Sequence, residues 1–132
     1  GERFMVVALA LLATIGLMSS VLANTPVVAA ALVTTKAYLV AVQAVPEVAL
    51  ADNFTAWPAL ALPLFVGMMF GGTLGGNATL IGASANMVSA GICAAEGERV
   101  TFMRFMRLGL PIALAQLAVG ALYVVLVLPH LV

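Results

Sequence analysis

Charge is scarce in this sequence. Only 8% of its 132 residues are Asp, Glu, Lys or Arg, where a soluble domain carries roughly a quarter. The five basic and five acidic residues cancel, so the chain offers neither a nucleic-acid surface nor a docking face for an acidic partner. Cysteine and histidine are each present once, as Cys93 and His130. A single cysteine excludes an internal disulfide framework and any CxxC metal or redox pair, and Cys93 is expected to do no more than pack a helix. No Ser-His-Asp set, HExxH helix or phosphate-cradling GxxxxGK[ST] run occurs. With the one histidine at the far end, Ser84 and Ser89 have no base, and neither catalysis nor a resident cofactor is expected.

What fills the chain instead is apolar, 64% by composition. No charge falls between Phe4 and Thr35, between Asn53 and Ala95, or from Leu108 to Val132. About 20 apolar residues cross a bilayer, so each run is long enough. No soluble body follows a lone apolar stretch, which argues against a secretory leader. The expectation is a multi-pass, all-α membrane protein. Because the chain opens Gly1-Glu2-Arg3-Phe4 without an initiator Met, it is expected to be part of something longer.

Two runs carry interruptions. Ser19-Ser20-Val21-Leu22-Ala23-Asn24-Thr25-Pro26 reads as helix, tight turn, helix, since Pro suits the first turn of a new helix and Asn24 or Thr25 can cap it. This gives a helical hairpin over 4–46 with its tip at 24–26. In the second run, Gly71-Gly72-Thr73-Leu74-Gly75-Gly76-Asn77-Ala78-Thr79 holds four glycines in six residues and is expected to unwind the helix. The reading is a broken helix over 55–95 with an unwound loop at 71–79, flanked by halves near 56–70 and 80–95.

Length alone does not decide between one broken span and two full ones. Arg99, Arg104 and Arg107 lie between Glu96 and Arg107, whereas Ala37 to Asn53 has no basic residue. The positive-inside rule puts these connections on opposite faces, which requires an odd number of crossings between them. One discontinuous helix satisfies that. Thr101 to Arg107 then reads as a capped, amphipathic interfacial turn and Leu108 to Pro129 as the last span, so that 102–130 closes the segment. His130 sits at its exit and Trp57 at the opposite lip, as an aromatic-belt anchor.

Irregular backbone at membrane depth is tolerated only against protein or a water-filled cavity. Half-helix N-termini offer free N–H groups to an anion, and unwound carbonyls with side-chain oxygens coordinate a hard cation. Asn24, Thr25 and Pro26 supply such groups at the first break; Gly75, Gly76, Asn77 and Thr79 supply them at the second, with Ser84 and Asn86 beyond it. Thr79, Gly82, Ala83, Asn86 and Ala90 recur at helical spacing as a small polar face. Gly67/Gly71 and Gly72/Gly76 are small-xxx-small pairs that equally serve helix packing. Asn77 and Asn86 point to function, because amides are costly in hydrocarbon without partners. A Na⁺ is accommodated at Asn24, Thr25, Gly76 and Asn77, and no other metal is expected. Neither break contains a carboxylate, so any proton relay lies elsewhere.

The run from Gly71 to Asn86 resembles the second signature of the ion transporter superfamily, in the branch holding arsenite efflux pumps, the P protein and D-type sodium/proton antiporters. Phe102-Met103-Arg104-Phe105 and Arg107-Leu108-Gly109-Leu110-Pro111 also fit that branch. The resemblance implies the C-terminal half of an inverted-repeat secondary transporter. In it a re-entrant hairpin tip, here Asn24-Thr25-Pro26, faces an unwound loop, here Gly75 to Thr79, to form half of an ion and substrate site. The missing N-terminal repeat supplies the other half, and a homodimer in a plasma or bacterial inner membrane is implied. Ala23 replaces the acidic residue that antiporter-like members carry before the hairpin Asn. Gly76-Asn77-Ala78-Thr79 replaces the Thr-Pro-Pro-Asn loop of dicarboxylate carriers. Both departures shift the expectation toward a small anion or an arsenite-like metalloid oxyanion, coupled to Na⁺ or H⁺. A sodium/proton antiporter, a citrate or dicarboxylate permease and a structural or channel-like subunit are the alternatives.

Overall fold

The computed structural model describes residues 2–130. Among them every regular element is helical: α1 (Glu2–Ser19), α2 (Asn24–Ala41), α3 (Leu62–Gly75), α4 (Ser84–Ala95) and α5 (Phe102–Leu122), with short 3₁₀ turns between and a π turn at Tyr123–Val127. Among the described residues three apolar stretches are long enough to cross a membrane, Glu2–Ser19, Ala59–Ala78 and Phe102–His130. The chain is an all-α membrane protein.

The first break forms where the end of α1 winds down on its own carbonyls. The amides of Val21 and Leu22 donate to Met18 O at 3.2 and 2.8 Å, and Ser20 Oγ donates to Leu17 O at 2.6 Å. Pro26 then falls inside the first turn of α2, where a missing N–H costs nothing. The expected cap is not formed. The cap position belongs to Ala23, no side chain caps α2, and Asn24 and Thr25 lie one step inside the helix, with the Asn24 amide against Gly76.

α2 returns antiparallel to α1, which brings Tyr38 edge-on to Phe4 with ring centres 6.4 Å apart. The following connection is compact. Lys36 Nζ donates to Ala51 O at 3.1 Å and stands 3.8 Å from Asp52, while Val45 and Ala49 pack with Leu39, Ala61 and Leu64 in one apolar cluster. Trp57 is half-buried there. Its ring meets Phe54 and Phe65 edge-on at 4.8 and 5.1 Å, and its Nε1 donates to Phe54 O at 3.1 Å.

The glycine-rich run behaves differently from its composition. Gly71, Gly72 and Gly75 stay helical within α3, and the ladder gives way only at Gly76, through a 3₁₀ turn over Gly76–Ala78 and irregular backbone to Ala83. The reason is packing. A β-carbon on Gly67 would lie 2.5 Å from Ala8 O, one on Gly71 2.7 Å from Leu12 O, and one on Gly75 2.6 Å from Gly16 Cα. Each pair is offset by the same interval, so α1 and α3 run parallel and in register. The backbones meet along a stripe that only glycine leaves open, and the tertiary contact outweighs the roughly 1 kcal/mol per residue that glycine costs a helix.

α5 runs back along α3. Gly109 sits against the carbonyls of Asn77 and Ala78, and Gly120 against the Phe70 ring. Thr101 caps it as expected, accepting from Arg104 N at 3.2 Å. Phe102 to Arg107 is not a separate interfacial turn: it forms the first turns of α5, which continues through Pro111 without a stop. α4 buries none of its residues, and Cys93 on it is exposed, contrary to the packing role expected for it.

Candidate functional site

The turn between α1 and α2 meets the break between α3 and α4. Thr79 supplies the seam, with its Oγ1 donating to Ser20 O and accepting from Gly82 N at 3.1 Å. Gly82 lets the strands of chain close up, since a β-carbon there would lie 2.5 Å from Gly76 O and 2.9 Å from Ser19 O. Asn86, in the first turn of α4, reaches back so that its Nδ2 donates to Gly76 O at 3.0 Å and Thr79 O at 2.9 Å. Two carbonyls freed by the break are thereby satisfied from within.

The two helices that leave the breaks, α2 and α4, both start without a side-chain cap, at Ala23 and Ala83. The backbone amide of Asn86, in the first turn of α4, donates to Ala83 O at 3.1 Å; the amides ahead of it, like the first amides of α2, stand at the positive end of a helix dipole with no side-chain cap. Two further groups at this junction are buried and unpartnered among the described residues, Ser19 Oγ and Asn24 Oδ1. Ser19 is wholly inaccessible. A buried polar atom without a hydrogen bond costs about 1–3 kcal/mol, and both are oxygens. A third such atom, Thr35 Oγ1, lies eleven residues along α2 from Asn24, outside the junction.

Of the residues expected from sequence, Asn24, Gly75, Gly76, Thr79 and Asn86 are brought together here. Gly75 serves mainly to let α3 lie on Gly16. Asn77 is turned to α5, where its Nδ2 donates to Gln116 Oε1 at 2.9 Å. Thr25, Pro26 and Ser84 are exposed at the starts of α2 and α4 and make no side-chain hydrogen bond to the cluster. Sequence reasoning missed Ser19, Gly16 and Gln116. Gln116 had a signal, an amide inside a charge-free run; Ser19 had none beyond its place in a Ser-Ser pair.

Between α4 and α5 lies a crevice of about 670 Å³ whose polar lining includes Asn77, Asn86, Glu98 and Arg104. Arg104 stands 3.9 Å from Glu98, both largely exposed. Among the described residues no cluster of His, Cys, Asp or Glu could hold a metal ion. The groups at the junction are amides, hydroxyls and carbonyls, which bind hard cations or hydrogen-bond to a solute.

In this membrane protein the helical hairpin and the interrupted span meet at buried oxygens. Some of the proteins it is similar to are named transporters. Over 125 residues, 94% of this chain, it is 47% identical to an uncharacterized transporter of Synechocystis sp.. It is 49% identical over 72 residues, 54% of this chain, to the P protein of Homo sapiens, and 41% over 69 residues to an uncharacterized transporter of Mycobacterium tuberculosis. The chain spans 28% of the cyanobacterial relative, 8% of the human P protein and 14% of the mycobacterial one. It is a homologue of these transporter-named proteins and of the P protein, as the resemblance at the glycine-rich run implies. No family model matches the chain, and no solved structure matches it.

Proposed function

We propose that this chain forms half of the substrate and coupling-ion site of a secondary active transporter that moves a small anion or an arsenite-like metalloid oxyanion, driven by Na⁺ or H⁺. The observation that carries the reading is the pairing, at one junction, of the uncapped starts of α2 and α4 with two buried oxygens that lack partners, Ser19 Oγ and Asn24 Oδ1. Free N–H groups suit the anion and the oxygens suit a coupling cation. In this reading the chain is not an enzyme and holds no resident cofactor. It works in a multi-pass protein of the plasma or bacterial inner membrane, as a homodimer whose N-terminal repeat completes the site.

Gradient-driven uptake into vesicles carrying the full-length parent, screened over arsenite, sulfate and dicarboxylates with imposed Na⁺ and pH gradients, tests this. One solute driven by one gradient supports it and fixes the substrate. Proton release driven by Na⁺ without any such solute would favour the antiporter alternative. Absence of both sinks the transporter reading in favour of a structural subunit, for which the Gly67/Gly71/Gly75 packing stripe is the supporting observation.

A further inference from the structure

A groove of about 430 Å³ runs between α1, the end of α3 and α5, and none of Asn24, Thr79 and Asn86 lines it. Gly16, Ala78 and Ala113 form its buried floor, while Leu17, Leu110 and Leu114 stand exposed along its rim. Ser20 carries the only polar side chain in the lining, and its hydroxyl already donates to Leu17 O at 2.6 Å. The groove therefore offers no free side-chain donor, and a polar solute would leave its own hydrogen bonds unmade there, which is costly. Hydrocarbon meets no such penalty.

One end of the groove meets a charge. Arg107 precedes Leu110 by three residues and Leu114 by seven, so it shares their side of α5. Arg104 is turned to the crevice against α4, where it stands 3.9 Å from Glu98. Arg107 is exposed and makes no ion pair among the described residues. The stretch Phe102–His130 centres on Gln116. At 1.5 Å per residue Arg107 lies about 14 Å from that centre, near the edge of a hydrocarbon core about 30 Å thick, with Leu110 and Leu114 inside it.

We propose that the groove binds one anionic phospholipid, with an acyl chain against Gly16 and Ala113 and the headgroup phosphate on the Arg107 guanidinium. The charge of Arg107 complements the phosphate. The arginine-bearing connection lies on the cytoplasmic side, whose leaflet carries anionic lipid. The site needs neither the solute nor the coupling ion of the transporter reading.

The probes are phosphatidylglycerol and phosphatidylcholine with the same acyl chains. Each is titrated into the purified full-length parent in a neutral detergent while the thermal midpoint is read. A ligand that binds only the folded state raises the midpoint as it saturates its site. The parent should reach half its protection at about fivefold less phosphatidylglycerol than phosphatidylcholine, the worth of one arginine at a membrane surface. Arg107→Gln should remove that preference and Arg104→Gln should keep it. Leu114→Trp, which sets a bulky ring over the groove from an exposed position, should raise the half-protecting concentration of both lipids. A parent that does not distinguish the two lipids overturns the proposal. So does a parent that neither lipid protects, which marks a groove covered by another part of the parent protein. A preference lost equally in Arg107→Gln and Arg104→Gln also overturns it, as the mark of a diffuse field rather than a site, and so does a Leu114→Trp variant that binds both lipids as the parent does.

Discussion

Replacing Gly75 by Ala isolates the packing that brings the two breaks to one place. The added carbon would lie 2.6 Å from Gly16 Cα and closer still to Gly16 O, both backbone atoms with no rotamer to change. Ordinary contact begins at 3.4 Å, so α1 and α3 must part by about 1 Å, and overpacking of this kind costs roughly 1–3 kcal/mol. Helix propensity works the other way, favouring Ala by about 1 kcal/mol. The net effect expected is a loss of about 0–2 kcal/mol, with the seam of Thr79 and Asn86 pulled off register. Gly91→Ala is the matched control, because nothing lies within 4 Å of a β-carbon there and only the propensity gain of about 1 kcal/mol remains. The assay is the thermal midpoint of the full-length parent in detergent. Gly91→Ala should match or exceed the parent and Gly75→Ala should fall below Gly91→Ala by several degrees. Equal midpoints for the two variants would refute the claim that the α1/α3 approach is backbone on backbone.

Asn86→Asp should be worse than its small change in shape suggests, since it turns an acceptor toward the Gly76 and Thr79 carbonyls; a loss of about 2–4 kcal/mol follows, read as a lowered midpoint, with Asn86→Gln milder. Thr79→Ser keeps the bonds to Ser20 O and Gly82 N and should leave the midpoint within about 0.5 kcal/mol of the parent, whereas Thr79→Val should cost about 1–3 kcal/mol. The loop cysteines Asn53→Cys and Arg99→Cys should be labelled by a membrane-impermeant maleimide from opposite faces of sealed vesicles, because the arginine-bearing connection stays on the cytoplasmic side. Labelling of both from one face would require an even number of crossings between them.

The membrane class, the turn before Pro26 and the Thr101 cap were legible because each rests on local chemistry: a charge-free run, a fixed proline φ, a hydroxyl three residues before an N–H. The site was legible in part by the same logic, since Asn24 and Asn86 are amides at the edges of helices. What the sequence obscured depends on partners distant along the chain. Glycine's weak helix propensity predicted unwinding at 71–79, yet Gly71 to Gly75 remain helical because Leu12 and Gly16 lie against them. The hydrogen bond of Asn77 was not visible because its partner, Gln116 on α5, is 39 residues away. Ser19 read as turn material because its burial arises only when the two breaks close on each other.

If the junction around Asn24 binds what the parent protein carries, removing the Asn24 amide stops transport. Gradient-driven uptake is therefore measured for the full-length parent and for Asn24→Ala, with Gly91→Ala as a control, at matched amounts of folded protein in vesicles. Asn24→Ala should abolish uptake while Gly91→Ala retains it. Uptake by Asn24→Ala equal to that of the parent would exclude a binding role for the junction and leave the two breaks as features of helix packing.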